Sequence, residues 1–212
     1  MALRHSYGEN QMASVRKRFF ALEGVDGSGK STVGKSLAEQ AGGIYMKTPG
    51  EQYKAVRAHI DNGTPKETKL LFYLATVMDA SAQIGRMLLT QPVICDRYIW
   101  SSLIPHAAYH DEDLGELERI WQPFSQRITQ PTNTVLLTVS EDEQSARMGR
   151  DRDIATLSAS DRFCLNADKR RKVRTLYETV ANRDGWVVVD TTQRDPEKVA
   201  REILECTMGA RV

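Results

Sequence analysis

The sequence predicts an α/β fold built on a parallel sheet with helices on both faces. β-rich apolar runs alternate with helix-length patterns, a glycine-rich GxxxxGK[ST] loop joins the first run to the first helical pattern, and no internal repeat or low-complexity linker divides the rest. The apolar runs are 19–23, 44–48, 92–96, 134–139 and 186–190. The helical patterns are 31–40, 52–61, 66–89, 114–128, 141–147, 168–183 and 196–207. Ligands of such a sheet gather at the carboxyl ends of its strands. Chemistry is therefore expected near Glu23, Thr48, Asp96, Val139 and Asp190.

The loop, Gly24-Val25-Asp26-Gly27-Ser28-Gly29-Lys30-Ser31-Thr32, has the strand before it and the helix after it that a phosphate-binding loop requires. Successive backbone N–H groups there converge on one anion, and the helix dipole adds positive potential. Lys30 is placed to reach the β- and γ-phosphates, and the Ser31 hydroxyl to ligate Mg²⁺. The loop implies binding of a nucleoside triphosphate.

The third apolar run ends Val93-Ile94-Cys95-Asp96-Arg97-Tyr98, delivering a carboxylate and then a guanidinium to the sheet edge that carries the loop. Asp96 is a candidate Mg²⁺ ligand and Arg97 a rigid fork for a phosphate. An Asp–Arg ion pair closing the strand is the plainer alternative. After the fourth run and a short helix comes an arginine cluster, Arg147, Arg150 and Arg152. A solvated basic face would carry the same letters. Phosphoryl transfer, however, spreads negative charge that Mg²⁺ and a single lysine often do not stabilise alone. Gly27 stands at the flexible position of the loop, so the extra cation is expected from this cluster, on a lid at about 147–163 that also excludes water.

Composition bounds the rest. At 212 residues the chain is long enough for one α/β domain with a small lid, here 18–212. Its 29 basic and 28 acidic residues nearly cancel, so no global field recruits nucleic acid or a membrane. Cys95, Cys164 and Cys206 lack metal-ligand spacing, which suits a reducing, cytoplasmic setting and argues against zinc. No apolar stretch is long enough to cross a bilayer. Residues 1–17 lack the apolar region of a secretory signal and are expected to be a disordered extension, with Met12 a candidate native start.

Three motifs together resemble the thymidylate kinase family: the run from Phe20 through the loop to Thr32; Asp96-Arg97-Tyr98 with Ser101-Ser102; and Asp161-Arg162-Phe163 followed by Val173-Arg174 and Tyr177. The resemblance spans about residues 18–207. It implies a P-loop NTPase three-layer sandwich with a five-stranded parallel sheet and a small arginine-bearing lid. It also implies ATP as phosphoryl donor, Mg²⁺, a nucleoside monophosphate acceptor and a homodimer. By position it gives Asp26 the acceptor sugar's 3′-hydroxyl, Arg57 and Arg97 the acceptor phosphate, and Phe72 the base as a stacking ring. Pro49, Ser101, Ser102 and Tyr109 fall at its acceptor pocket. Gly27 with lid arginines matches the subgroup whose catalytic arginine lies in the lid, with Arg150 favoured and Arg147 and Arg152 left open.

There are departures as well. Ala75-Thr76 stands where the family has an Asp-Arg or Asn-Arg pair that reads thymine, and Lys47-Thr48-Pro49 where it has Arg-Glu-Pro. Ala-Tyr-Gln is absent after Ser102, although Ala108-Tyr109-His110 follows one turn later. The phosphate-handling positions stay while base-proximal ones change, so altered base preference is expected. His106 and His110 are read as pocket or surface contacts, and Asp111-Glu112-Asp113 as a helix N-terminus. A kinase acting on a nucleoside or other small hydroxyl compound, and a nucleotide-binding switch without transfer activity, stay open beside the monophosphate kinase.

Overall fold

A computed structural model describes residues 18–151 and 166–209, side chains excepted at 149–151 and 208–209. Five parallel strands form one sheet: β1 (Phe19–Glu23), β2 (Ile44–Lys47), β3 (Val93–Asp96), β4 (Asn133–Thr138) and β5 (Val187–Asp190), in the order β2-β3-β1-β4-β5. The helices are α1 (Lys30–Ala41), α2 (Lys54–Gly63), α3 (Lys66–Met87), α4 (Trp100–His110), α5 (Leu114–Ser125), α6 (Glu141–Asp151), α7 (Ala167–Asp184) and α8 (Pro196–Gly209). A short 3₁₀ turn, Glu51–Tyr53, precedes α2.

β1 lies at the centre, every residue buried, and its side chains alternate between faces with the two-residue period of a strand. Phe20 and Leu22 pack with Val33 and Leu37 of α1 and Val199 and Ile203 of α8. Phe19 and Ala21 pack on the other face with Leu74 and Val77 of α3, Leu103 of α4 and Trp121 of α5. The central runs therefore became strands covered on both sides, as a parallel sheet requires, whereas edge strand β5 leaves Val188 50% exposed.

Most boundaries shift by two residues or fewer from the sequence expectation, and three differences are larger. The helix 141–147 runs on to Asp151, and the pattern 114–128 stops at Ser125. α4 was not foreseen, because Pro105 in its middle lacks the amide of a regular turn. Of Asp111-Glu112-Asp113, only Asp113 caps α5, accepting the Glu116 amide at 2.9 Å. Asp111 ends α4 in a left-handed conformation (φ 56). Among the described residues no helix is long and apolar enough to cross a membrane.

Candidate active site

Sheet register builds the site. Leu22 of β1 pairs with Asp96 of β3, so the glycine loop and the Asp96-Arg97 turn leave the sheet side by side. Gly24 (φ 136) lies so close to β4 that a Cβ would stand 2.4 Å from the Leu137 carbonyl oxygen. Gly29 (φ 84) caps α1, and its left-handed backbone lets the loop close onto the helix. Lys30 is buried within the loop, donating to the carbonyls of Gly24 (2.9 Å) and Val25 (2.7 Å). Burial, and then Arg97, lower its pKa to about 8.

Asp96 is 1% exposed. Its Oδ2 accepts from the Ser31 hydroxyl and, at 2.9 Å, from the Tyr45 phenol. Its Oδ1 is buried and has no hydrogen-bond partner among the described residues. Asp96 and Ser31 line a cavity with Gly27, Lys30, Thr32 and Arg147.

A second cavity adjoins the first and shares Asp26 and Arg97 with it. Arg97 has a left-handed backbone (φ 72), and its Nη2 donates to Asp26 Oδ1. Arg57 lines the same cavity; its Nε donates to Asp61 (3.2 Å) and to the Tyr73 hydroxyl (3.1 Å). Pro49 adds to the wall after a cis Thr48–Pro49 peptide. α4 supplies two rows at four-residue spacing, Ser101, Pro105 and Tyr109 beside Ser102, His106 and His110. α3 supplies Leu70, Tyr73 and Thr76.

Phe72 is not on that wall. It packs edge-on against Tyr53 (5.9 Å) and Tyr73 (5.4 Å), and the ring lining the cavity is Tyr73. Leu70, Tyr73 and Thr76 recur every three residues and share a helix face, a signal the sequence already carried. Ser101 faces inward, donating to the Glu23 carboxylate, which also accepts the amides of Tyr98 (3.1 Å) and Trp100 (3.2 Å). Burial pushes Glu23 up to about 7.

Arg147 lies over the loop, its Nη1 donating to the Gly27 carbonyl (3.1 Å) and its Nη2 to the Thr191 carbonyl (2.9 Å). Arg150 falls within α6 with its side chain outside the described ones. Arg152 and the Asp161-Arg162-Phe163 motif lie outside the described residues, as does most of the expected lid 147–163. Tyr45 and Gln144 carried no sequence signal, and Arg174 stood in the Val173-Arg174 motif without an assigned contact. Gln144 Nε2 donates to the Asp26 carbonyl (2.7 Å), and its Oε1 accepts from Arg174 Nη2 (2.9 Å). Two cavities meeting at one guanidinium can hold two anions face to face, with Lys30 behind the first and Arg57 behind the second.

Comparison with known proteins identifies the family. The thymidylate kinase family model matches residues 22–203. A probable thymidylate kinase of Methanococcus aeolicus is 29% identical over 204 residues, covering 92% of this chain and 98% of that protein. One from Methanocaldococcus jannaschii is 27% identical over 194 residues, covering 90% and 95%. A solved thymidylate kinase structure from Candida albicans has the same fold, with TM-score 0.71 at 20% identity and 92% of each chain covered. With the match running from the end of β1 into α8, the chain belongs to the thymidylate kinase family.

Proposed function

We propose that the chain transfers the γ-phosphoryl group of ATP to a deoxynucleoside monophosphate, dTMP foremost, giving dTDP and ADP. The observation that carries this reading is the pair of cavities sharing Asp26 and Arg97. Donor phosphates belong in the first, on the Gly24–Thr32 loop with Lys30. The acceptor phosphate belongs in the second, between Arg57 and Arg97, where cations let two anions approach. Asp26 is the proposed partner of the acceptor's 3′-hydroxyl. Arg147, Arg150 and Arg152 are the proposed source of the charge that stabilises the moving phosphoryl group.

Mg²⁺ fits the donor cavity. The buried Asp96 Oδ1, unpartnered among the described residues, is a carboxylate oxygen of the kind Mg²⁺ takes, with the Ser31 hydroxyl beside the same carboxylate. Among the described residues no group of three or more His, Cys, Asp or Glu could hold a metal. Mg²⁺ held by one or two protein oxygens and substrate phosphates needs no such cage. When bound it neutralises charge on the phosphates.

Transfer to a nucleoside hydroxyl is less well supported, because it calls for a base at the acceptor oxygen. Glu23 is fully buried and already accepts hydrogen bonds from Tyr98, Trp100 and Ser101, and Asp26 is paired with Arg97. A switch without transfer activity would not need a second cationic cavity. A homodimer, a cytoplasmic location and a single kinase domain over 18–212 are proposed on the family resemblance and the cysteine usage.

The test is a coupled assay with ATP, Mg²⁺ and a panel of nucleosides and nucleoside monophosphates. Diphosphate formed from dTMP is expected. Product from nucleosides alone, or ATP turnover indifferent to any acceptor, overturns the proposal.

A further inference from the structure

Arg97 has a backbone conformation that arginine rarely adopts. Its φ of 72 lies in the left-handed region, and a side chain stays there only where its surroundings fix it. Two peptide planes meet at its Cα, and both are held. The Arg97 amide donates to the Leu22 carbonyl of β1 at 3.0 Å, extending the β1–β3 ladder. The peptide between Arg97 and Tyr98 is gripped at both ends. Its carbonyl accepts from the Thr48 hydroxyl at 2.6 Å and from the Cys95 thiol at 3.1 Å. Its N–H donates to Glu23 Oε1 at 3.1 Å.

Glu23 ends β1 and is 0% exposed. Its Oε1 also accepts the Trp100 amide at 3.2 Å, and its Oε2 accepts the Ser101 hydroxyl, so one carboxylate takes three donors from residues 98–101. A serine hydroxyl has a single proton. With that proton on Glu23, the Tyr177 hydroxyl, 3.3 Å away, donates to Ser101. α4 begins without a side-chain cap at Ile99, so the acceptor for its first amide comes from the neighbouring strand. The segment that follows Arg97 is thereby tied to the residue that precedes the glycine loop.

We propose that Glu23 and Thr48 are positioning residues for Arg97: by holding the 97–98 peptide from its two ends, they fix the backbone that aims its guanidinium at the wall shared by the two cavities. The inference rests on the second cavity being the monophosphate site. What it requires of Glu23 is reach. The carboxylate must span from β1 to the amides of Tyr98 and Trp100. Aspartate keeps the charge but is shorter by one C–C bond, about 1.5 Å. Glutamine keeps the length and an oxygen for the two amides. Ser101 can then accept from the new amide group and turn its own proton toward Tyr177.

The experiment measures kcat and KM for ATP and dTMP with the unmodified protein, Glu23→Asp, Glu23→Gln and Thr48→Val, each also combined with Arg97→Ala. Glu23→Asp is expected to lower kcat/KM for dTMP by about tenfold, the cost of a misplaced phosphate clamp, while the KM for ATP moves by less than about threefold. Glu23→Gln should stay within about threefold of the unmodified protein on both substrates. Thr48→Val should show the same acceptor-side loss as Glu23→Asp, and it carries the test if the shortened carboxylate prevents folding. In the Arg97→Ala background both losses should shrink to less than about twofold, because the group they position is gone. Losses that persist undiminished in that background, or that fall equally on ATP and dTMP, mark a structural role only and overturn the inference. So does a Glu23→Gln variant as impaired as Glu23→Asp, which would make charge the requirement. Each of these results leaves the kinase reading intact. Failure of the unmodified protein to phosphorylate any monophosphate overturns both.

Discussion

Arg97 and Asp26 form an ion pair on the wall common to the two cavities, joining the turn after β3 to the glycine loop. Both side chains are partly buried, 26% and 23% exposed, so removing one leaves the other's charge poorly compensated. Arg97→Ala is expected to lower kcat/KM for the acceptor by about tenfold to a hundredfold, the worth of one charge-assisted hydrogen bond or more. The KM for ATP should move by no more than about threefold, because Lys30 and the loop amides remain. Initial rates with each substrate varied in turn check this, and an equal loss on both would place Arg97 outside the acceptor site.

The second prediction concerns pH. Lys30 binds phosphate as an ammonium, its proton-bound form, and in the free protein its pKa is lowered to about 8 by burial and by Arg97. Above that pH the free protein loses the cation, so kcat/KM for ATP should fall on the alkaline side with an inflection near 8. Bound phosphates favour the charged form, so kcat itself should hold to higher pH. Lys30→Arg, which stays protonated, should lose the alkaline limb at the cost of much of the rate. A flat profile for kcat/KM up to pH 10 would count against Lys30 as the titrating group.

The strands and the loop were legible because their signals are local. FFALE and VICD are apolar throughout and end at polar residues, and the spacing of Gly24, Gly29, Lys30 and Ser31 carries its own chemistry. α4 was not legible because its signals are distant. Its first position has no side-chain cap, Pro105 interrupts it, and the amides at its start are satisfied by Glu23, more than seventy residues earlier. The exchange of Phe72 for Tyr73 on the cavity wall turns on one residue of helical phase, about 100° around α3, which packing decides. The pairing of Gln144 with Arg174 joins two helices far apart in sequence, and no spacing rule reaches it.

Tyr45 bears on the metal ligand. Its ring lies against α1 at Gly34, where a Cβ would come within 2.9 Å of it, and its hydroxyl reaches Asp96 Oδ2 at 2.9 Å. Burial raises the phenol well above its ordinary pKa, so it stays a donor. With Ser31 it occupies one carboxylate oxygen and leaves Oδ1 for a cation. Tyr45→Phe is expected to raise the Mg²⁺ concentration for half-maximal rate by about threefold to tenfold, the loss of one hydrogen bond to a charged group. Manganese binding in the presence of ADP, followed by electron paramagnetic resonance, should weaken in parallel. Unchanged metal affinity by that measure would remove Tyr45 from the role.

Gln144 is 3% exposed and ties α6 and α7 to the glycine loop through the Asp26 carbonyl and Arg174. Gln144→Ala leaves that carbonyl and one face of the Arg174 guanidinium without this partner, at a cost of about 1–3 kcal/mol. For a chain of this size about 2–4 °C of Tm accompanies each kcal/mol, so a drop of several degrees is expected by calorimetry. The same change loosens α6 where Arg147 crosses the loop to the Gly27 carbonyl, so the KM for ATP should rise by a few-fold. Gln144→Glu separates the two effects. It keeps an acceptor for Arg174 and gains charge attraction, but it cannot donate to the Asp26 carbonyl. Its Tm should therefore recover most of the loss while the KM for ATP stays high. If Tm and KM recover together, Gln144 contributes stability only and the loop does not depend on its donated hydrogen bond.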